Sequence, residues 1–299
     1  MKRGALAGAL LCVALAANAQ PAVDCAPADP GTPALPAPDL HGRRIAIALG
    51  SGSMHGLAHI GVLQELEAHG LRVDVVAGTS VGAIVGALWA RGFRADEIAS
   101  LSSGAEWEQA GEFSPSFESL FTNRSLQQQM RKLLGDKPIE SWPKRFGAVA
   151  TDLASGHRVL LVQGDGAVAV QASSAVPVMF APVSVKGVEL TDGALVEPVP
   201  IRAARDLGGD FVIAVDVAYR PYEEPAHGLV QFGFQAVHVL VNSLAESQAR
   251  EADFRLRLDL HHAFQACGPH AMIAIGRDGM RRAWPLLVAA MQGRSAPAP

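Results

Sequence analysis

The sequence is poor in cysteine, in long apolar runs and in runs of charge of one sign. Its 299 residues include 3 cysteines, and 25 Lys and Arg side chains nearly balance 29 Asp and Glu side chains. So few cysteines exclude a small disulfide-stapled scaffold, and without a basic run there is no electrostatic case for a nucleic-acid partner. Hydrophobic residues make up 49% of the chain, which excludes a disordered protein and predicts a large core.

The N-terminal residues 1–19 have the pattern of a secretory signal. A basic start at Lys2 is followed by a short apolar stretch and by the small-residue cleavage site A-N-A, which ends at Ala19. The next segment, residues 20–41, is rich in Pro and Ala and is typical of a flexible leader. We therefore predict an exported protein that resides in the periplasm or is secreted.

Two further expectations concern the exported chain. Cys25 and Cys267 remain after removal of the signal; export permits a disulfide between them, and two separate thiols are the equally supported alternative. No later stretch offers the roughly 18–20 uninterrupted apolar residues that a membrane-spanning helix needs. The longest candidate, residues 228–244, is interrupted by glutamine, histidine and asparagine, so we expect no transmembrane segment.

Short apolar runs that alternate with helical periods predict an α/β fold. Apolar strands are expected at residues 44–49, 73–77 and 211–217, and the apolar spacing of residues 56–69 and 83–91 predicts helices. Because such strands carry no polar face, we expect helices to cover both sides of the sheet.

The remaining segments predict the domain organisation. Residues 42–219 are expected to form the main α/β domain, and residues 220–299 a mostly helical region packed on it, with one strand near 254–258. Within the main domain, residues 93–145 are polar and contain three prolines. They predict a helical insertion that could act as a lid or substrate wall.

The sequence G-T-S-V-G at residues 78–82 stands between a predicted strand and a predicted helix. Such a sharp connection holds its central residue, Ser80, in a strained conformation above the sheet, and only small neighbours such as Gly78 and Gly82 fit there. The N-terminus of the following helix points N–H groups at the same place. This context is typical of a serine nucleophile; a tight turn that happens to contain a serine is the alternative.

A second loop of small residues, G-S-G-S-M-H-G at 50–56, joins the first strand to the first helix. Its N–H groups can bind an anion, either a dinucleotide pyrophosphate or the oxyanion of an acyl transfer. The glycine spacing departs from the dinucleotide pattern, and a serine elbow, not an acidic residue, ends the second strand. We therefore favour an oxyanion loop, with His55 as a polar residue at its junction with the helix.

A candidate base, Asp192, follows a predicted hairpin at 183–190 and precedes Gly193. A carboxylate at a strand end can approach a serine hydroxyl and accept its proton, provided that it is desolvated and oriented. An Asp-Gly turn without a catalytic role is the alternative.

In this order, the glycine loop, the serine elbow and the D-G-A sequence resemble the patatin-like phospholipase family, from about Arg44 to Val217. The resemblance implies a three-layer α/β/α sheet and a lipid acyl-ester hydrolase of the phospholipase A or lysophospholipase type. Lipid or phospholipid would be the substrate, which the enzyme could meet at a membrane surface, and neither a metal nor another cofactor would take part. Shorter matches are G-L-A-H-I-G-V-L at 56–63, A-T-D-L at 150–153, A-S-S-A-V-P at 172–177, F-A-P-V at 180–183 and P-V-P at 198–200.

The resemblance also implies roles for individual residues. Ser80 would be the nucleophile and Asp192 the base of a dyad that uses no histidine. Backbone N–H groups of Gly52, Ser53 and Met54 would form the oxyanion hole. The glycines that support these motifs would be Gly50, Gly56, Gly78, Gly82 and Gly193.

The chain departs from the family pattern at four positions. Ser51 and Ser53 replace glycines of the loop, and His55 stands where Arg is usual. Glu197 stands where Asn is frequent, just before the P-V-P sequence.

Two other functions remain open on the sequence. An α/β-hydrolase with a Ser–Asp–His triad would take its histidine from the C-terminal part, although that fold places more strands before its serine elbow. The candidates are His227, His238, His261, His262 and His270. The other alternative is a non-catalytic lipid-binding protein on the patatin scaffold, although Ser80 and Asp192 are both retained.

Overall fold

The computed structural model describes residues 37–38, 42–102, 112–113, 121–217, 228–258 and 260–293. The predicted signal lies outside the described residues, as does the predicted leader apart from residues 37–38. Both therefore stay predictions.

A central mixed sheet organises the described residues. The strands are β1 (Ile45–Leu49), β2 (Val75–Thr79), β3 (Glu112–Phe113), β4 (Phe121–Thr122), β5 (Arg145–Asp152), β6 (Arg158–Leu161), β7 (Val183–Val185), β8 (Val188–Asp192), β9 (Phe211–Asp216) and β10 (Phe254–Arg257). The order in the sheet is β10-β9-β1-β2-β5-β8-β7, with β6 also paired to β5, and β3 pairs with β4 in a separate ribbon. From β10 to β5 all neighbours are parallel, whereas β6 and β8 are antiparallel to β5.

Helices follow most of the strands. They are α1 (Leu57–Ala68), α2 (Val81–Arg91), α3 (Ala95–Ser102), α4 (Arg124–Leu134), α5 (Gly166–Ser173), α6 (Ile201–Asp206), α7 (Leu229–Gln248) and α8 (His261–Met291). Short 3-10 turns lie at Ser53–Gly56, Ile139–Ser141, Gly193–Leu195 and Ala249–Glu251.

Alternate residues of β1 face opposite layers, as the two-residue period of a strand requires. Ile47 and Leu49 pack into one core with α1, α2 and α8. Ala46 and Ala48 pack into the other core with α6 and the C-terminal end of α7. The sheet is therefore covered on both faces, and the predicted three-layer α/β/α architecture is confirmed.

α1 lies against α8 with very little space between the two backbones. A Cβ atom added at Gly61 would stand 1.9 Å from the carbonyl oxygen of Ile273, and one at Gly276 would stand 2.0 Å from that of Ala58. Residues 57–63 are buried on every side of the helix, because sheet and α8 cover it together. α8 thereby fixes the helix that follows the glycine loop.

The predicted strands and helices of the main domain are confirmed, with one shift. The sequence predicts a strand that Gly78 ends, whereas β2 continues through Gly78 and Thr79. These two residues pair with Ala148 and Val149 of β5. Gly78 keeps its hydrogen bonds to the neighbouring strand and therefore does not end β2. The sequence pattern alone does not distinguish such a glycine from a glycine that ends a strand.

Two predicted regions differ in detail from the structure. The insertion at 93–145 contains α3 and α4, as predicted, and the short ribbon β3–β4 in addition. The C-terminal region is mostly helical as predicted, and its strand β10 joins the main sheet beside β9. Of the helices described, none has both the length and the apolar character that crossing a membrane demands.

Candidate active site

Two strand–loop–helix connections meet at the carboxyl ends of the parallel strands. The connection after β1 contains the glycine loop, and the connection after β2 contains Ser80. Gly82, in the first turn of α2, comes so near the glycine loop that an added Cβ would stand 2.0 Å from the carbonyl oxygen of Leu49. The two predicted motifs therefore lie in contact, and only glycine at position 82 leaves room for this contact.

Ser80 adopts the strained backbone that the sequence predicts. Its φ is 56° and its ψ is −124°, a conformation that costs a non-glycine residue about 1–3 kcal/mol. Gly78 and Gly82 relieve the crowding, since a Cβ at Gly78 would stand 2.5 Å from Cα of Ala83. The strain is held in place by β2 on one side and by α2 on the other.

The candidate acid reaches Ser80 from the far side of β5. Thr79 pairs with Val149 of β5, and Asp192 pairs with Ala150 on the opposite edge of that strand. The two side chains meet across β5, and the Ser80 hydroxyl donates a hydrogen bond of 2.7 Å to Oδ2 of Asp192. Strands that lie 112 residues apart at this contact thus bring the two predicted residues together.

The carboxylate of Asp192 is held in a dry environment. Its other oxygen, Oδ1, accepts a hydrogen bond of 2.8 Å from the N–H of Ala194. Burial raises the pKa of Asp192 to about 6, while the hydrogen bonds from Ala194 and Ser80 lower it in part. The side chain is therefore ionised at neutral pH and more basic than a carboxylate in water.

The glycine loop is anchored at its start, and within the described residues its middle N–H groups have no backbone partner. Gly50 donates its N–H to Val215 at 3.0 Å, and Ser51 donates to Pro198 at 2.8 Å. Among the described residues, the N–H groups of Gly52, Ser53 and Met54 make no backbone hydrogen bond. These three N–H groups can therefore donate hydrogen bonds to an anion.

Ser53 replaces a family glycine and takes the left-handed conformation that glycine favours. Its φ is 50°, within the small left-handed region that a non-glycine residue can occupy. Gly52 cannot be replaced in the same way, because a Cβ there would stand 2.7 Å from the carbonyl oxygen of Val217. The loop therefore tolerates serine at one of these two positions.

Two histidines support the loop, and the sequence analysis missed the role of one. His55 lies at the junction as predicted, with Nδ1 3.2 Å from the carbonyl oxygen of Gly52. His59 is fully buried in α1, and its Nε2 lies 2.8 Å from the carbonyl oxygen of Gly50. Burial lowers the pKa of His59 to about 4, so the ring is neutral and carries its proton on Nε2, the donor to that carbonyl.

A buried hydroxyl holds the nucleophile's backbone, and sequence reasoning gave it no role. Ser80 donates its N–H to Oγ of Ser173 at 3.0 Å, and Ser173 donates its own proton to the carbonyl oxygen of Val149 at 2.6 Å. Ser173 ends α5 and is completely buried. It belongs to the A-S-S-A-V-P sequence, the signal that could have identified it.

Glu197, the last of the four departures from the family pattern, is an anchor beside the elbow. Its carbonyl oxygen accepts a hydrogen bond of 2.8 Å from the Thr79 hydroxyl. Its buried carboxylate accepts from Arg158 at 2.9 Å and from the N–H of Arg202 at 2.7 Å, at the start of α6. Glutamate therefore fixes α6 and the residue before the nucleophile in one arrangement.

The histidine-dependent alternatives gain no support from the described residues. The Asp192 carboxylate contacts Ser80 directly, whereas a triad acid would contact a histidine. Nδ1 of His238 lies 2.8 Å from the carbonyl oxygen of Phe234 within α7. His227 and the side chains of His261, His262 and His270 lie outside the described parts. Over the described ranges, no group of three or more His, Cys, Asp or Glu could hold a metal ion.

Replacing Ser173 with Ala is expected to destabilise the protein by about 1–3 kcal/mol, because it leaves the N–H of Ser80 and the carbonyl of Val149 buried without this partner. Urea denaturation gives the difference in free energy of unfolding. Ser184→Ala, an exposed hydroxyl on β7, serves as the control and should change stability by less than about 0.5 kcal/mol. Equal stability of the two variants would contradict the role given to Ser173.

The raised pKa of Asp192 predicts a pH-dependent loss of stability. Between about pH 4 and pH 6 the native state keeps a proton that the unfolded state releases, so this group's contribution falls as pH rises through that window and is constant above it. Relative to Asp192→Asn, the wild-type free energy of unfolding should fall by up to roughly 3 kcal/mol. Parallel pH profiles of the two proteins from pH 4 to pH 7 would contradict this.

Comparison with known proteins places these motifs in a family. Residues 47–205, more than half of the chain, match the patatin-like phospholipase family. An uncharacterized NTE family protein of Mycobacterium tuberculosis H37Rv is 36% identical over 177 residues, which are 58% of this chain and 49% of that protein. A protein named lysophospholipase nte1 from Aspergillus fumigatus is 30% identical over 185 residues, 60% of this chain and 12% of that one.

Among solved structures, VipD from Legionella pneumophila is similar, with a TM-score of 0.45 and 14% identity over 82% of this chain and 66% of that one. The chain spans about half the length of its mycobacterial relative and a much smaller share of the fungal one. The family match includes the glycine loop, the serine elbow and Asp192 in one continuous segment. The chain belongs to the patatin-like phospholipase family.

Proposed function

We propose that this protein is a serine hydrolase of lipid acyl esters, of the phospholipase A or lysophospholipase type. The observation that carries the proposal is the hydrogen bond of 2.7 Å from the Ser80 hydroxyl to the buried Asp192 carboxylate. Family membership gives this pair its chemical meaning, and the name of the fungal relative, a lysophospholipase, agrees with a lipid substrate.

In the proposed reaction, Asp192 first acts as a general base. It accepts the Ser80 proton as Oγ attacks the acyl carbonyl, and a tetrahedral oxyanion forms. The ester C–O bond then breaks, the leaving alcohol takes the proton from Asp192, and the acyl group remains on Ser80. A water molecule, deprotonated by Asp192, then attacks the acyl carbon. The bond between that carbon and Oγ of Ser80 breaks, Oγ takes the proton back from Asp192, and the fatty acid is released.

The oxyanion would bind to the glycine loop. In the described part of the chain, the N–H groups of Gly52, Ser53 and Met54 have no backbone partner. The loop also lies against the N-terminus of α2, whose dipole favours negative charge. His59 holds the start of the loop, because its Nε2–H donates a hydrogen bond to the carbonyl oxygen of Gly50. The chemistry assigned to these groups requires no metal ion.

A fluorophosphonate probe and two variants test the proposal. We expect the probe to label Ser80 in the wild type, and Ser80→Ala to lose both labelling and hydrolysis of lysophosphatidylcholine. Asp192→Asn should retain less than about one hundredth of the activity, since general-base catalysis contributes typically 10²–10⁴-fold.

Ser184→Ala, at an exposed position of strand β7, is the matched control and should hydrolyse ester normally. Turnover by Ser80→Ala would contradict the proposed nucleophile. An unreactive but lipid-binding wild type would favour the non-catalytic alternative.

We also propose that the protein is exported after removal of residues 1–19. The A-N-A cleavage site supports this, and so does Cys267, which is disulfide-bonded, because disulfides persist in oxidising compartments. Expression in a bacterium followed by intact-mass measurement tests it. The expected product begins at Gln20 and has no free thiol; a full-length product in the cytosol would contradict the proposal.

A further inference from the structure

Val178 has a backbone conformation that its residue type rarely adopts. Among the described residues, four that are not glycine have a positive φ, namely Ser53, Ser80, Val178 and Lys186. Ser53 and Ser80 belong to the proposed site, and Lys186 lies in the two-residue turn between β7 and β8, where positive φ angles are usual. Val178, with a φ of 71°, is the β-branched member of the four, and for such a residue this conformation is an outlier.

Val178 lies in an apolar loop, residues 176–182, in the connection between α5 and β7. The sequence of this loop, V-P-V-M-F-A-P, contains no polar side chain, whereas surface loops are usually polar. None of the seven residues is buried, and Val178 is 49% exposed. Glycine would adopt the same backbone conformation without strain. Position 178 therefore keeps an exposed apolar side chain although its backbone favours a residue without one.

Both ends of the apolar loop are fixed beside the proposed base. Before the loop, the carbonyl oxygen of Ala175 accepts a hydrogen bond of 3.0 Å from the N–H of Asp192. After the loop, Val183 pairs with Leu190, two residues before Asp192. Val178 is three residues from Ala175, so their Cα atoms are at most about 11 Å apart. The apolar loop therefore starts and ends beside Asp192, and its exposed valine stays near that residue.

The same segment contacts the proposed nucleophile. Two residues before Ala175, the hydroxyl oxygen of Ser173 accepts a hydrogen bond of 3.0 Å from the N–H of Ser80. Ser80 and Asp192 are themselves joined by the hydrogen bond of 2.7 Å. The chain therefore runs from a contact with the nucleophile, past a contact with the base, into the apolar loop. A short acyl group on Ser80 ends close to these contacts, whereas a long acyl chain can extend as far as Val178.

We propose that Val178 contacts the acyl chain of the substrate and makes the enzyme selective for long-chain esters. The inference rests on the proposed function, because it names the substrate class of the same site. The apolar loop carries neither a charge nor a polar side chain, so it offers a polar headgroup no side-chain partner. An acyl chain fits the loop, because contact removes apolar surface of both the chain and Val178 from water.

The contact with Val178 acts on binding of the ester and not on the chemical step. Val178 touches the acyl chain at a distance from the reacting carbonyl, so it stabilises the bound substrate and the transition state equally. Loss of the contact should therefore raise KM for a long-chain ester and leave kcat unchanged. A short-chain ester does not extend to the apolar loop, so neither of its constants should change.

Paired kinetics with p-nitrophenyl laurate and p-nitrophenyl butyrate test this inference on the full exported chain. Val178→Asn places a polar side chain on a residue type that tolerates the left-handed conformation, and Val178→Gly removes the side chain and relieves the strain. Each variant should raise KM for the laurate ester about tenfold at unchanged kcat, and should bind free laurate about tenfold more weakly by calorimetry. Both constants for the butyrate ester should match the wild type, and Val178→Gly should melt no lower than the wild type.

Val188→Asn is the matched control, because Val188 is a 39% exposed valine that pairs with Val185 at the far end of the β7–β8 hairpin; it should behave as wild type. A wild-type KM for the laurate ester in both Val178 variants would overturn the inference while the proposed function stands, and so would an equal loss on both esters. If the wild type cleaves neither ester but binds laurate, and the variants weaken that binding, the proposed function fails and the acyl contact stands. A wild type that neither cleaves an ester nor binds laurate would overturn both.

Discussion

The hydrogen bond from a strained serine to a buried carboxylate is the contact on which the described structure converges. A carboxylate withdrawn from water becomes a stronger base, but its burial costs free energy unless its oxygens have donors. Asp192 has two, the Ser80 hydroxyl and the N–H of Ala194. β5 lies between the strands that carry the two residues, so its pairing register determines whether they meet.

Buried hydroxyl groups maintain that register near the site. Ser173 joins the nucleophile's N–H to β5, and the Thr151 hydroxyl donates to the carbonyl oxygen of Asp192 at 2.8 Å. Thr79 is tied in the same way to the segment that begins α6. Each bond links groups that are distant in sequence, and together they allow a serine to remain in a conformation that it would otherwise leave.

The parts of the site that could be predicted from the sequence are those with a local cause. Glycines between an apolar strand and a helix indicate that two backbone segments approach closely, and this reasoning located Ser80 and the glycine loop. Asp192 was located as an acidic residue next to a glycine at the end of a predicted strand. Ser173 and His59 escaped it because both bond to backbone groups: the sequences A-S-S-A-V-P and G-L-A-H-I-G-V-L mark the two positions but do not indicate which backbone groups they contact. The ribbon β3–β4 escaped for a different reason: strands of two residues are too short for a hydrophobic period.

The close contact of α1 with α8 bears on how much of the chain makes a working unit. The family segment at 47–205 contains every proposed catalytic residue. Yet β1 pairs on one side with β9, and α1 packs through Gly61 onto the backbone of Ile273 in α8; both partners lie beyond that segment. Cut out alone, the homologous part would have an open sheet edge and an uncovered helix beside the glycine loop. The family segment therefore contains the chemistry, and the part of the chain that follows it supplies structural support for the glycine loop and the sheet.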